Sequence, residues 1–238
     1  IHVIDLNKTI VKIDEAAKAL KQIAKSGRKI LFVATKKQAK NIVASKVIET
    51  RMPYITERWP GGMLTNFKTT RKTFRKMSSI DKMTADGTAN TMSKRERLQM
   101  ARKREKMDKI FGSVSEMSRP PAAIFIVDIK KEHIALAEAK NLGVPVFAMV
   151  DTNSDPSDID FVIPSNDDAT KSIELIVGAM CEAINEGLAE RKAGKAKAEA
   201  QNNKDQEEVE DKTAQEEKVK DEAENKVEKT NTEAVEEK

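Results

Sequence analysis

The densest chemistry in this sequence lies in ERWPGGMLTNFKTTRKTFRK (57–76), where five cations run from Lys68 to Lys76 with no acid among them. On a helix, Lys68, Arg71, Lys72, Arg75 and Lys76 share one broad face. Such a face suits the point-charge contacts of lysine and the bidentate contacts of arginine to phosphate. The cations are preceded by Arg58 and Trp59, which end an apolar run. Pro60-Gly61-Gly62 then forms an elbow where glycine permits positive φ and close backbone approach, and Thr65 or Asn66 is placed to cap the helix that follows. A second basic stretch, KRERLQMARKREK (94–106), adds Lys94, Arg95, Arg97, Arg102, Lys103, Arg104 and Lys106. Glu96 and Glu105 can neutralise part of this charge but not the excess. Arg58, Trp59, Gly61, Gly62 and Asn66, with the cations of both stretches through Arg104, are the candidate nucleic-acid-binding residues.

The most enzyme-like segment is VDTNSDPSDIDF (150–161), where Asp151, Asp155, Asp158 and Asp160 offer hard oxygen ligands of the kind Mg²⁺ takes. Of these, Asp151 and Asp155 are the weak candidates for a metal. The same composition also makes a turn whose Asn, Asp and Ser side chains satisfy its own backbone, and that is the preferred reading. Neither GxxxxGK[ST] nor GxGxxG occurs, and no nucleophile or general base accompanies the aspartates. His133 starts a helix and reads as a cap or packing residue, and Cys181 reads as inert core. A Mg²⁺-dependent enzyme or receiver-like switch, and an isolated RNA chaperone or messenger binder, are the competing readings.

Charge is segregated along the chain. Residues 1–60 carry 13 Lys/Arg against 5 Asp/Glu, and residues 61–119 carry 15 against 6. Residues 120–190 reverse the balance at 4 against 13, and 191–238 carry 11 against 15. A basic half joined to acidic segments fits a polyanion on one side of the molecule. Aromatic residues at 4% are too few for a stacking platform. One cysteine excludes a disulfide framework and leaves a reducing, cytoplasmic compartment as the expectation. No apolar run reaches membrane-span length, and no signal peptide is evident. The chain opens without Met in what reads as a strand, so a further segment upstream is expected.

These residues need a scaffold, and the apolar pattern supplies one. HVIDL (2–6), KILFVAT (29–35), MPYITERW (52–59), AAIFIVD (122–128), VPVFAMVD (144–151) and FVIP (161–164) read as strands. Amphipathic helices lie between them, the first capped by Asn7 with Ile10, Ile13, Ala17, Leu20 and Ala24 inward, the second with Ala39, Ile42, Val43 and Val47 inward until Pro53. The alternation predicts a doubly wound parallel α/β sheet. Between the third and fourth strands, helices over 66–83 and 94–117 joined by DGTANTMS predict an inserted, protruding antiparallel coiled-coil hairpin. Their seams are Phe67, Thr70, Phe74, Met77 and Ile80 facing Met100, Met107, Ile110, Val114 and Met117. The expected organisation is an α/β domain from 1–60 and 120–190, a basic helical hairpin at 61–119 and a disordered charged tail at 191–238.

Taken together, RWPGGMLTNFKT (58–69), KILFVATKKQA (29–39), FIVDIKKEHIALAEAKNLGVPVFAMVDTNSDP (125–156) and DFVIPSNDDA (160–169) resemble the family of the second protein of the bacterial small ribosomal subunit. The likeness runs from residue 1 to about 187. It implies a flavodoxin-like fold and a structural, non-enzymatic role in translation, bound to small-subunit (16S) rRNA near the junction of head and body. It also implies late entry into assembly and docking of neighbouring ribosomal proteins, including the large messenger-binding one. No membrane contact is implied, and no cofactor beyond Mg²⁺ held with the rRNA. Two departures stand out: the family's aromatic and basic N-terminal segment is absent, and the tail after Arg191 is longer and more charged than the family pattern.

Overall fold

A computed structural model describes residues 2–194 and 196, and the architecture is an α/β sandwich about a five-stranded, wholly parallel sheet. In chain order the elements are α1 (Leu6–Lys25), β1 (Ile30–Val33), α2 (Lys37–Thr50), β2 (Tyr54–Ile55), α3 (Phe67–Ala85), α4 (Lys94–Phe111), β3 (Ala123–Val127), α5 (His133–Asn141), β4 (Val146–Val150) and β5 (Phe161–Pro164). A last helix, α6, runs from 170 through 194. The strands are ordered β2-β1-β3-β4-β5, the order of a flavodoxin-like doubly wound sheet.

Every residue of β1, β3 and β4 is buried, as a parallel sheet covered on both faces demands. Alternation sorts these residues between two layers. Ile30 and Phe32 join Phe125, Phe147 and Met149 beneath α1, α2 and α6, where Leu20, Val43, Val47, Ile173, Val177 and Ile184 close the layer. Leu31 and Val33 join Ile124, Ile126, Val146 and Ala148 on the opposite face, covered by Ala135 and Ala139 of α5. That second layer also contains Trp59, Met63, Leu64, Phe74 and Val114, so the roots of α3 and α4 belong to it.

The expected first strand is absent. Residues 2–5 are irregular and α1 already begins at Leu6, with Asp5 rather than Asn7 as the cap: the Asn7 backbone N–H donates to Asp5 Oδ1 at 3.0 Å. Val3, Leu6 and Ile10 are exposed, so their apolar character marks no core-facing strand. The helical pair therefore lies between the second and third strands. α2 ends at Thr50, before Pro53, because Arg51 adopts the left-handed conformation at φ 55°. α3 and α4 pack against each other in opposite senses, residue 74 meeting 111 and residue 81 meeting 104. Phe74, Met77 and Ile80 of the expected seam are buried, whereas Met100, Met107 and Ile110 of α4 are half-buried. The described elements through Arg191 belong to one compact unit. Beyond residues 191–194 and 196, the segment expected to be disordered falls outside the described residues.

Candidate nucleic-acid interface

The elbow before α3 is held by one carboxylate. Glu138, on the inward face of α5, is buried, and its Oε1 accepts the Trp59 indole N–H at 3.1 Å and the Gly62 N–H at 2.7 Å. Its Oε2 accepts the backbone N–H groups of Leu64 at 2.9 Å and Thr65 at 3.1 Å, and the Thr65 hydroxyl at 3.2 Å. Burial pushes this carboxyl group up, but the indole and the three backbone donors outweigh it and hold it below the usual glutamate range. Gly62 takes φ 81°, the conformation that turns its N–H toward the carboxylate. The result is a rigid base for α3. Asn66 occupies the N-cap position but makes no side-chain cap bond, and Thr65 bonds to Glu138 instead. Trp59 is 6% exposed, so its part is to position the elbow, and its ring is not offered to a base. Gly61 and Arg58 are exposed beside it.

The cations on the two helices separate into paired and unpaired sets. Lys68, Arg71, Lys72 and Arg75 are exposed on α3 and form no ion pair among the described residues. Lys76 and Lys103 confront each other across the α3–α4 seam, and the Lys76 ammonium pushes the Lys103 pKa down. Arg104 differs: its Nε donates to Asp81 Oδ1 at 2.6 Å and its Nη1 pairs with Asp108 at 2.7 Å. That guanidinium fastens α4 to α3 and is not free for phosphate. Lys94, Arg95, Arg97 and Arg102 are exposed on α4, whose start is fixed by a capping box between Ser93 and Glu96.

At the carboxyl ends of the strands, where sheets of this order take their ligands, the crevice is filled by the protein's own ions. Lys36, just after β1, pairs with Asp167 at 2.7 Å, Asp168 at 2.6 Å and Asp128 at 3.2 Å. Burial pushes the lysine pKa down, but these three partners outweigh it and raise the pKa above the ordinary value. Burial, with Asp128 and Asp151 nearby, pushes Asp167 up, and its Oδ2 has no hydrogen-bond partner. Thr35 donates its N–H at 3.2 Å and its hydroxyl to Glu132, and Lys131 Nζ reaches Thr35 O at 2.9 Å. Asp151, Asp167 and Asp168 have carboxylate oxygens within 4.8 Å of one another. Asp155 is elsewhere, accepting the Ser157 N–H at 3.0 Å and the Ser157 hydroxyl at 2.6 Å in the expected turn. Asp160 accepts the Val146 N–H at 2.8 Å. The two metal candidates are thus not brought together.

Sequence reasoning missed Glu138, Lys36 and Asp167. Glu138 carries a usable signal, because it falls in register with Ala135 and Ala139 on the buried face of α5, where an unpaired acid is not tolerated.

These features define a basic α/β protein in which an exposed cationic helix pair stands on a carboxylate-locked elbow. The profile of the family described as "Ribosomal protein S2" matches residues 1–187, and the chain belongs to that family. It is 62% identical over 200 residues to the small ribosomal subunit protein uS2 of Parabacteroides distasonis, an alignment that covers 84% of this chain and 72% of the relative. To the proteins of the same name from Porphyromonas gingivalis and Flavobacterium johnsoniae it is 66% and 65% identical over 195 residues, covering 82% of this chain and 69% and 77% of those proteins.

Proposed function

We propose that this chain is a small-subunit ribosomal protein that holds small-subunit rRNA with the exposed cations of α3 and α4 and presents its α/β body to neighbouring proteins. Family membership makes it a structural, non-enzymatic constituent of the small subunit, serving translation in the cytoplasmic ribosome. Among the described residues, no helix is long and apolar enough to cross a membrane.

The finer reading rests on one observation: Lys68, Arg71, Lys72 and Arg75 are exposed on a helix whose root is locked by five hydrogen bonds to Glu138. Unpaired cations on a rigid mount keep little entropy to lose on meeting phosphate. We read α3 and α4 as a coiled-coil arm projecting from a body formed by 1–60 and 120–190, with Arg58, Gly61, Lys76, Lys94, Arg95, Arg97, Arg102 and Lys103 adding contacts along it. Mg²⁺ held with the rRNA is the only ion this reading calls for. The acidic 120–190 segment faces away from RNA and suits protein neighbours, the large messenger-binding ribosomal protein among them.

The test is incorporation. Tagged chain with Lys68, Arg71, Lys72 and Arg75 changed to Gln competes with the native chain for small subunits lacking this protein, and bound protein is read after sedimentation. Depletion of the variant from the subunit peak is expected. Equal incorporation at every salt concentration would sink the arm as the RNA grip.

A further inference from the structure

The amino ends of the strands, opposite the Lys36 cluster, carry a second cationic site. A cleft of about 640 Å³ opens there between the turn before β1, the end of α2 and the segment entering β3. Arg28, Lys29, Arg51 and Arg119 line it from three separate stretches of chain, against one acid, Glu116. Arg28, Arg51 and Arg119 are exposed and form no ion pair among the described residues. The guanidinium of Arg191 lies against Gly27 at the rim, so close that a Cβ on Gly27 would sit 2.1 Å from Arg191 Cζ.

The walls are held by hydrogen bonds to backbone carbonyls. Lys29 Nζ donates to Arg51 O at 2.7 Å, Ala122 N–H to Lys29 O at 2.8 Å and Phe32 N–H to Pro53 O at 3.0 Å. Ser113, at the foot of α4, donates its hydroxyl to Tyr54 O. Buried Pro53, Met117 and Pro121 form the floor. An ordinary solvated surface mixes its signs, whereas here three arginines converge on a concave wall without carboxylate partners. Arginine forks suit bidentate contact with phosphate oxygens.

We propose that this cleft binds the sugar–phosphate backbone of an RNA strand, a second phosphate site separate from the helix pair. It rests on the RNA reading of the helix pair. Because Ser113 and Met117 follow α4 directly, a strand leaving the foot of that pair enters the cleft without leaving the protein surface.

The experiment titrates the full chain against a fluorescein-labelled small-subunit rRNA transcript at several salt concentrations. Four forms are compared: native, a cleft variant (Arg28→Gln, Arg51→Gln, Arg119→Gln), an arm variant (Lys68→Gln, Arg71→Gln, Lys72→Gln, Arg75→Gln) and their combination, each checked for native circular dichroism. The cleft variant is expected to bind about tenfold more weakly at moderate salt, with a log–log salt slope shallower by roughly 2 to 3, the share of three phosphate contacts. The combined variant should show both effects. If the cleft variant matches the native chain while the arm variant is weakened, the cleft proposal fails and the RNA reading stands. If neither changes, both fail. If only the cleft variant is weakened, the cleft stands and the arm reading fails. Loss of poly-glutamate binding with RNA binding intact would assign the cleft to an acidic protein segment and overturn the proposal.

Discussion

Trp59 and Glu138, 79 residues apart in sequence, meet through an indole N–H to carboxylate bond of 3.1 Å that ties the elbow of α3 to α5. Glu138→Gln keeps the shape but replaces one accepting oxygen by an NH₂ group that faces further donors. Each buried donor left without an acceptor costs about 1–3 kcal/mol, so a loss of roughly 3 kcal/mol or more is expected in urea unfolding. A loss below about 1 kcal/mol would show that the carboxylate does not fasten the elbow.

The same carboxylate sets an acid response. Its folded-state pKa lies below the ordinary value, so its contribution is complete above the unfolded pKa, about 4.3, and disappears as pH falls through the folded one. Native protein should lose stability from this group below about pH 4.3, and Glu138→Gln should lose less over the same range. Parallel curves for the two proteins, followed by tryptophan fluorescence at Trp59, would contradict the assignment.

Lys36 is the only cation paired with the buried Asp167 among the described residues. Lys36→Met should cost about 3–5 kcal/mol, the usual effect of leaving a buried charge uncompensated. Asp167 already has a raised pKa, so its ionised form opposes folding and protonation relieves it. The variant should therefore recover stability, relative to native, as pH is lowered from 7 toward about 4. A thermal-melt series shows this directly, and a variant whose deficit widens on acidification would refute it.

Arg104 and the α3 cations should behave oppositely. Arg104→Gln removes partly exposed ion pairs to Asp81 and Asp108 and should cost no more than about 1 kcal/mol, read as faster amide exchange in α4. Its RNA-binding salt slope should stay native. Neutralising Lys68, Arg71, Lys72 and Arg75 should instead flatten the slope by about 0.9 for each duplex phosphate that the arm no longer neutralises.

A chain ending at Arg191 should enter subunits as well as the full chain. Residues beyond it include no aromatic residue and carry more acids than bases, and fixing a backbone costs roughly 1–2 kcal/mol per residue. In competition for a limiting pool of depleted subunits, a tenfold disadvantage for the short chain, about 1.4 kcal/mol, would reveal a docking partner for the tail.

The sheet was legible where strands are buried on both faces: KILFVAT, AAIFIVD and VPVFAMVD all contain the strands expected of them. HVIDL misled because three apolar residues in a five-residue stretch do not show whether their side chains meet a core, and Val3 and Leu6 do not. MPYITERW was overextended, since only Tyr54 and Ile55 find a ladder partner in β1. The basic faces of α3 and α4 could be read from local spacing. Their pairing state could not, because Asp81 meets Arg104 only once the two helices are set in register. Lys36 with Asp167, 131 residues distant, depends on strand order and leaves no mark in either local sequence.

The placement of Glu138 makes presentation of the helix pair conditional on tertiary assembly. Gly62, Leu64 and Thr65 have their acceptor only when α5, which follows β3, has packed on the sheet. Without that acceptor the root of α3 loses its five hydrogen bonds to Glu138, and cations without a fixed mount lack the effective concentration that joins several weak phosphate contacts into one tight one. If the helix pair is the RNA grip proposed above, a misfolded or half-made chain should compete poorly for RNA despite carrying the same charges. On that reading, avidity would report whether the domain behind the helix pair is complete.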